Sequence, residues 1–254
     1  MREIITIEVG QAGIQVGNAA WEQYCGEHNI SNEGRQHRVT KDNSLKVFFE
    51  EASDGQFVPR NLAVDLEPSV IDKVKSGPLG SLFNSNFLLS GNEDACTHAR
   101  GFYSTGRQII DEVTDKLRKL VDNCDNVMGF IITNSIGGGT GSGMCMLILE
   151  RLYVDYKKKA KVGCVIYPSK TLSTLIVEPY NAMLAMHWLV DHVDIALAFD
   201  NESLYNICQR NLHIAKPDMS NVNRLIAKVI SSMTASIRFS GELNANLDEL
   251  RMNL

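Results

Sequence analysis

A continuous apolar run, MGFIIT from Met128 to Thr133, leads directly into NSIGGGTGSGM, Asn134 to Met144, where five of eleven positions are glycine. No other stretch narrows the possible folds as much. Six apolar residues without alternation describe a strand covered on both faces, as in a parallel sheet flanked by helices. A dense glycine turn at the end of such a strand lets the backbone bend sharply and present successive N–H groups.

The same rhythm runs along the chain. Glu3–Val9 is rich in β-branched residues and reads as a strand, followed by a helix pattern over Gln11–Cys25. Leu62–Leu66 is a second strand, and Pro68 opens a helix that stops before Gly77 and Pro78. Ile109, Ile110, Val113, Leu117 and Leu120 give Thr105–Val121 an amphipathic helical period. After the glycine stretch come a helix over Ser142–Tyr153, a strand over Val162–Tyr167, a helix over Glu178–Leu189 and a strand over Ile195–Phe199. Strands alternating with helices predict an α/β fold with a doubly wound, Rossmann-like parallel sheet. In such sheets ligands bind beyond the carboxyl ends of the strands, where the glycine stretch lies.

One long helix is predicted over Ser220–Phe239, with Ser220 as N-cap after the break at Pro217. Its stripe is Leu225, Val229, Met233 and Ile237, with Ile226 and Ile230 beside it. The segment from Gly241 to Leu254 begins another helix pattern and stops without a cap, which points to further chain and to an uncovered apolar side on the long helix. The expected organisation is a nucleotide-binding domain over 1–201, then a core helix and the start of a truncated second domain over 202–254.

The 254 residues carry a net charge of −5, which argues against nucleic acid as the main partner, because phosphate binding favours a basic face. The six cysteines form no C-x-x-C pair and read as reduced, buried thiols of a cytoplasmic protein. A zinc site needs Cys and His clustered at ligand spacing, and no such cluster occurs. The opening MREIITIEVG has no long apolar core for a signal peptide, and no run approaches a membrane span. Residues 34–46 read as a surface loop, and KKKAK, Lys157–Lys161, as a solvated helix-to-strand connection.

Two nucleotide fingerprints fail on the glycine stretch. A P-loop spaced from Gly138 to Gly143 would need Lys and Ser or Thr where Met144 and Cys145 stand. The dinucleotide pattern G-x-G-x-x-G ends on Ser142 when started at Gly137 and on Met144 when started at Gly139. A dehydrogenase-like reading fails with it. What remains is an anion cradle of amides and hydroxyls from Ser135, Thr140 and Ser142, in which phosphate charge must be balanced by amides, by a metal ion, or by both.

GGGTGSG resembles the phosphate loop of tubulins and their bacterial cell-division relatives. VGQAGIQVGNAAWEQYC, AVDLEPSVID, ARGFYSTG, VEPYNAML, DNESLYNIC and SSMTASIRFSGELNANL resemble tubulin segments in the same order. GQAG and the acidic Glu249 resemble the α subfamily, while MREI is closer to β. The likeness spans essentially the whole chain and about the first half of a tubulin.

The resemblance implies a GTP-binding constituent of microtubules in the cytoplasmic cytoskeleton, a GTPase with GTP and Mg²⁺ as cofactors and a β-tubulin-like subunit as partner. A truncated fragment that at most binds GTP is the alternative. Residue by residue, the resemblance places Gln11 and Gln15 at the phosphates, with Ser135, Gly138, Gly139, Thr140 and Gly141 in the phosphate loop. It places Thr174 and Glu178 at the ribose, and Asn201 and Asn223 on the edge of guanine, whose donors and acceptors two amides satisfy. Asp65 and Glu67 match the acidic pair near Mg²⁺, and oxygen ligands with several waters suit that ion.

Glu249 matches the glutamate that reaches the next subunit's nucleotide as general base. Met219 stands where the family stacks an aromatic ring on the base. Stacking gives roughly 1–3 kcal/mol and a sulfur–aromatic contact roughly 0.3–1.5, so the resemblance predicts weaker retention. EDACTHARG is one residue shorter than the family's pattern, and Asn246 replaces an aspartate.

Overall fold

The computed structural model describes residues 3–36, 43–169, 175–239 and 246–253. The elements, in chain order, are β1 (Glu3–Val9), α1 (Gly10–His28), β2 (Phe49–Glu51), β3 (Phe57–Pro59), β4 (Asn61–Asp65), α2 (Pro68–Ser76), β5 (Leu88–Ser90), α3 (Thr105–Asp122), β6 (Val127–Ser135), α4 (Cys145–Asp155), β7 (Ala160–Tyr167), α5 (Glu178–His192), β8 (Ile195–Asp200), α6 (Asn201–Arg210), α7 (Met219–Arg238) and α8 (Leu247–Asn253). Six strands form one sheet in the order β5-β4-β1-β6-β7-β8, and every pairing in it is parallel. β2 and β3 make a separate antiparallel pair.

Residue parity assigns the faces, because successive strand side chains point to opposite sides. Ile4, Ala63, Ile131, Val162, Cys164 and Ile166 share one core with Trp21 and Tyr24 of α1, Val70 and Ile71 of α2, and Val222, Ile226 and Ile230 of α7. Ile5, Ile7, Val9, Leu62, Val64, Phe130, Ile132 and Val165 share the other with Ile110 and Leu117 of α3, Leu149 of α4 and Ala185 of α5. The sheet is therefore buried on both sides, as the unalternating strand runs predict, and the α/β doubly wound class stands.

From β1 the chain steps outward to β4 and β5, then returns to β6 on the other side of β1. The crevice outside the carboxyl ends of β1 and β6 is thus the topological switch point of the sheet. It is flanked by Gly10 after β1 and by the glycine turn after β6.

Several expectations need correction. The cap of α7 is Asp218, whose carboxylate accepts from the Asn221 N–H at 2.9 Å; Ser220 lies inside the helix and donates its hydroxyl to Asp218 at 2.7 Å. An aspartate accepts more strongly from orphan N–H groups than a hydroxyl does. The buried stripe of α7 is Val222, Ile226 and Ile230, continued by Thr234, while Val229 is exposed. Lys161 is not solvated: it lies in β7, buried, and its ammonium donates to the carbonyls of Tyr156 and Lys159 at 3.2 and 3.0 Å. Cys96 is exposed and Cys124 half-buried, against an expectation of buried thiols. The end of the expected loop, residues 43–46, belongs to a short 3₁₀ turn, Asn43–Val47, in which Leu45 of the loop and the following Val47 are buried. No helix of the described residues is long and apolar enough to cross a membrane.

Candidate functional site

β1 ends at Val9, and Gly10 follows with φ +75°, a left-handed conformation that strains any L side chain. A Cβ there would also stand 3.2 Å from the Gly141 amide nitrogen. Gly10 is thus favoured by its dihedral, and the close approach of the two turns leaves little room for a Cβ there. On the opposite wall, methyl groups on Gly139, Gly141 or Gly143 would run into the carbonyls of Ala95, Ser135 and His98. Gly138 differs, since a Cβ there would have no atom within 4 Å, and it opens towards the crevice.

The turn is held from within. Ser142 N–H donates to the Gly138 carbonyl at 3.1 Å, and Asn134, fully buried, donates its amide to the Gly141 carbonyl at 2.9 Å. Thr140–Met144 winds as a π-type turn directly into α4, so the amides at this end have few internal partners.

Between these walls lies a cavity of about 610 Å³. Gln11, Gln15, Asp65, Glu67, Ser135, Gly138, Gly139, Thr140, Gly141, Glu178 and Met219 all line it. Residues from five separate stretches of sequence therefore meet in one place. Among the described lining residues there is no lysine or arginine, which agrees with the absence of a P-loop lysine.

Gln15 and Met219 also line an adjoining cavity of about 410 Å³, where Asn223 joins them. Asn201 lines neither: it is the first residue of α6, next to Asp200, whose carboxylate caps that helix. Thr174 lies outside the described residues.

The acidic corner has unusual electrostatics. Asp65 is buried, and that burial pushes its pKa up to about 6, with the neighbouring Asp94 and Glu67 charges adding to the rise and N–H groups of Glu67 and Leu66 opposing it. Glu67 precedes α2 as its cap residue without a side-chain cap bond, and accepts instead from the Ser69 hydroxyl. Carboxylates gathered beside a phosphate-sized crevice leave negative charge that a cation would relieve. Among the described residues no three His, Cys, Asp or Glu groups gather as a metal-binding set. Asp65 and Glu67 are the carboxylates that could hold a cation in this corner, with waters and phosphate oxygens completing an oxygen shell of the kind Mg²⁺ prefers.

Two residues at the site carried no role in the sequence reading. Asp94 lines the cavity and raises Asp65; its only signal was its place in the short EDACTHARG segment. Asn181 of α5 is buried and ties the glycine turn to that segment. A lone asparagine inside a helix pattern gives no signal at all.

Residues 3–209 match the family described as Tubulin/FtsZ family, GTPase domain. This chain belongs to the Tubulin/FtsZ family. It is 51% identical over 259 residues to a protein named "Tubulin alpha chain, nucleomorph" of Guillardia theta, and 51% identical over 262 residues to a "Tubulin alpha-2 chain" of Eleusine indica. Each comparison takes in the whole of this chain and 58% of the relative, so the chain spans little more than half the length of these tubulins. The family's GTPase-domain match covers both walls of the crevice and all of its described lining except Met219.

Glu249 stands apart from the crevice. It is exposed in the first turn of α8, its carboxylate accepting from the Asn246 N–H at 3.2 Å. Leu247 packs by Gly129 and Ala160, near the amino ends of β6 and β7, and Arg251 pairs with Asp194 ahead of β8 at 3.4 Å. α8 is therefore at the opposite end of the sheet from the cavity. At about 3.3 Å per residue, the eight residues of β7 separate the two ends by about 25 Å.

Proposed function

We propose that the chain binds GTP with Mg²⁺ in the crevice between β1 and β6 and acts as an α-tubulin-like subunit of a cytoskeletal polymer in the cytoplasm. The observation that carries this reading is the convergence of Gln11, Ser135 and Gly138–Gly141 on one cavity at the switch point of the sheet, without lysine or arginine among its described lining residues. The larger cavity takes the triphosphate against backbone amides and the hydroxyls of Ser135 and Thr140. Glu178 and Thr174 take the ribose. The base points to the boundary with the second cavity, where Gln15, Met219 and Asn223 meet; Asn201, the other amide that the resemblance assigns to guanine, heads α6 outside both described linings. When bound, Mg²⁺ supplies positive charge against the phosphates, held by Asp65 and Glu67.

Hydrolysis is assigned to a contact between subunits. Glu249 is not among the described residues that line its own crevice, so it serves as general base only in the crevice of a neighbour stacked head to tail, here a β-tubulin-like partner. A head-to-tail contact that does not close on itself builds a filament. The placement of α8 at the end of the sheet opposite the crevice supports this polarity.

The test is direct. Purified chain is denatured and its supernatant analysed for guanine nucleotide, and the emptied protein is titrated with GTP at fixed free Mg²⁺. Release of guanine nucleotide and saturable one-to-one binding that weakens when Mg²⁺ is chelated are expected. No release and no binding would remove the reading.

A further inference from the structure

We infer that Asn181 is a positioning residue for the phosphate cradle, a role that rests on the nucleotide-binding reading above. Its side chain is 2% exposed and reaches two segments distant in sequence. The amide nitrogen donates to the Gly137 carbonyl at 2.9 Å and to the Cys96 carbonyl at 3.2 Å. The amide oxygen accepts from the His98 N–H at 2.8 Å. One buried side chain therefore holds the glycine turn and the 96–98 segment together, with three of its hydrogen-bonding positions filled.

The consequence follows from peptide planarity. In a trans peptide the C=O of one residue and the N–H of the next point in opposite directions. Drawing the Gly137 carbonyl towards Asn181 turns the Gly138 N–H away from it. Drawing the Cys96 carbonyl does the same to the Thr97 N–H. Gly138 and Cys96 both line the larger cavity, and among the described residues neither the Gly138 nor the Thr97 N–H is given to a protein acceptor. By taking both carbonyls, Asn181 keeps acceptor dipoles off the anion and leaves two donors on the opposite sides of those peptides. Preset donors need no rearrangement when the anion arrives. Asn181 touches neither base nor ribose in this arrangement, so its effect falls on phosphate recognition alone.

The experiment compares affinities for GTP, GDP and guanosine in the parent chain, Asn181→Asp and Asn181→Ala, with folding checked by circular dichroism and thermal midpoint. Asn181→Asp keeps an acceptor for His98 and loses both donors. The expected result is a fall of tenfold or more in affinity for GTP and GDP, with guanosine affinity within twofold of the parent. Equal losses for all three ligands, or no loss, in a folded variant would overturn the assignment. Should neither variant fold, amide hydrogen exchange in the parent decides. His98 N–H must be protected with and without GTP, while Gly138 and Thr97 N–H must gain protection only when GTP is added. Any other pattern overturns the role. If the parent itself binds no GTP, it is the functional reading that falls, and guanosine binding alone in the parent would leave only the phosphate half of that reading wrong.

Discussion

Glu8 is 1% exposed on the central strand, accepting from the Trp21 indole N–H at 2.8 Å. Burial pushes its pKa up to about 8, against the hydrogen bond from Trp21 that pulls it down. The carboxyl is therefore neutral in the folded protein at pH 7 and ionised in the unfolded chain. A group with a raised folded pKa binds its proton more tightly when folded. Its contribution is fully present below about 4.5 and is lost as pH climbs through about 8. Between pH 4.5 and 7 that amounts to roughly 3 kcal/mol, at 1.36 kcal/mol per unit.

Glu8→Gln keeps an acceptor for Trp21 and cannot ionise. The variant is expected to gain in urea midpoint over the parent at pH 8 and to lose that gain at pH 4.5; a gap independent of pH would show that Glu8 is charged in the core. Asp65, pushed up to about 6 by burial, follows the same sign over a lower window, between its ordinary value near 3.8 and 6. Asp65→Asn is expected to stabilise the nucleotide-free chain at pH 7 while weakening Mg²⁺-dependent GTP binding by tenfold or more, read by titration with and without chelator. Residue roles of this kind were unevenly legible in the sequence. The glycine turn announced itself by glycine density after a buried strand, whereas Gln11 was pointed to only by the resemblance of GQAG to the family. Glu8 looked like one polar position in EIITIEV, because nothing in a single sequence tells which face of a strand is dry.

At the scale of the element, α7 shows both the strength and the limit of hydrophobic periodicity. Its existence and length follow from the pattern, and its buried face does not. Leu225, Val229, Met233 and Ile237 repeat as regularly as the stripe that packs, Val222, Ile226 and Ile230. α5 is a harder case, since Tyr180, Met183 and Val190 are 72%, 75% and 79% exposed while the polar Asn181 is buried. An apolar stripe predicts burial only when the other faces are polar, and α5 has apolar residues all round; in α7 the apolar stripe is one broad face, of which only one edge is fully buried.

What fixes α7 is polar. Arg238, 1% exposed, gives its guanidinium to Glu27 of α1, to the Ser231 carbonyl and hydroxyl, and to the Thr234 hydroxyl, and lies 4.6 Å from the centre of the Tyr24 ring. Removing one partner of a buried ion pair strands the other, at about 3–5 kcal/mol; the Glu27 side chain is 26% exposed, which puts this pair at the lower end of that range. Arg238→Ala is expected to cost about that much in chemical denaturation, and the paired change Arg238→Met with Glu27→Gln distinctly less. An equal loss in both would mean that packing rather than charge holds the helix. The cap offers a second comparison: Asp218→Ala should lower the thermal midpoint more than Ser220→Ala, because Asp218 accepts the helix N–H and Ser220 only braces it.

At the scale of the molecule, the class of fold was legible because most strands of the main sheet are separated by helices, and a parallel sheet is the arrangement that such alternation permits. The strand order was not, since adjacency of β1 to both β4 and β6 is decided by which helices share a face, a property of pairs distant in sequence. That order carries the function, because it sets the crevice at one end of the sheet and α8 at the other. With Glu249 outside the described lining of its own crevice, two outcomes separate cleanly.

If the glutamate works in trans, Glu249→Ala leaves the chain's own GTP affinity where it was and slows turnover only in co-assemblies with a β-tubulin-like partner. A positioned general base contributes about 10²–10⁴-fold, so a loss of that order in phosphate release per polymerised subunit is expected, with polymer mass held constant by sedimentation. Glu249→Asp should recover part of the rate, since the carboxylate is retained one methylene short, whereas Glu249→Gln should not. Turnover equal to the parent in all three would assign Glu249 to the N-terminal turn of α8 alone, where its bond to the Asn246 N–H already gives it a structural place.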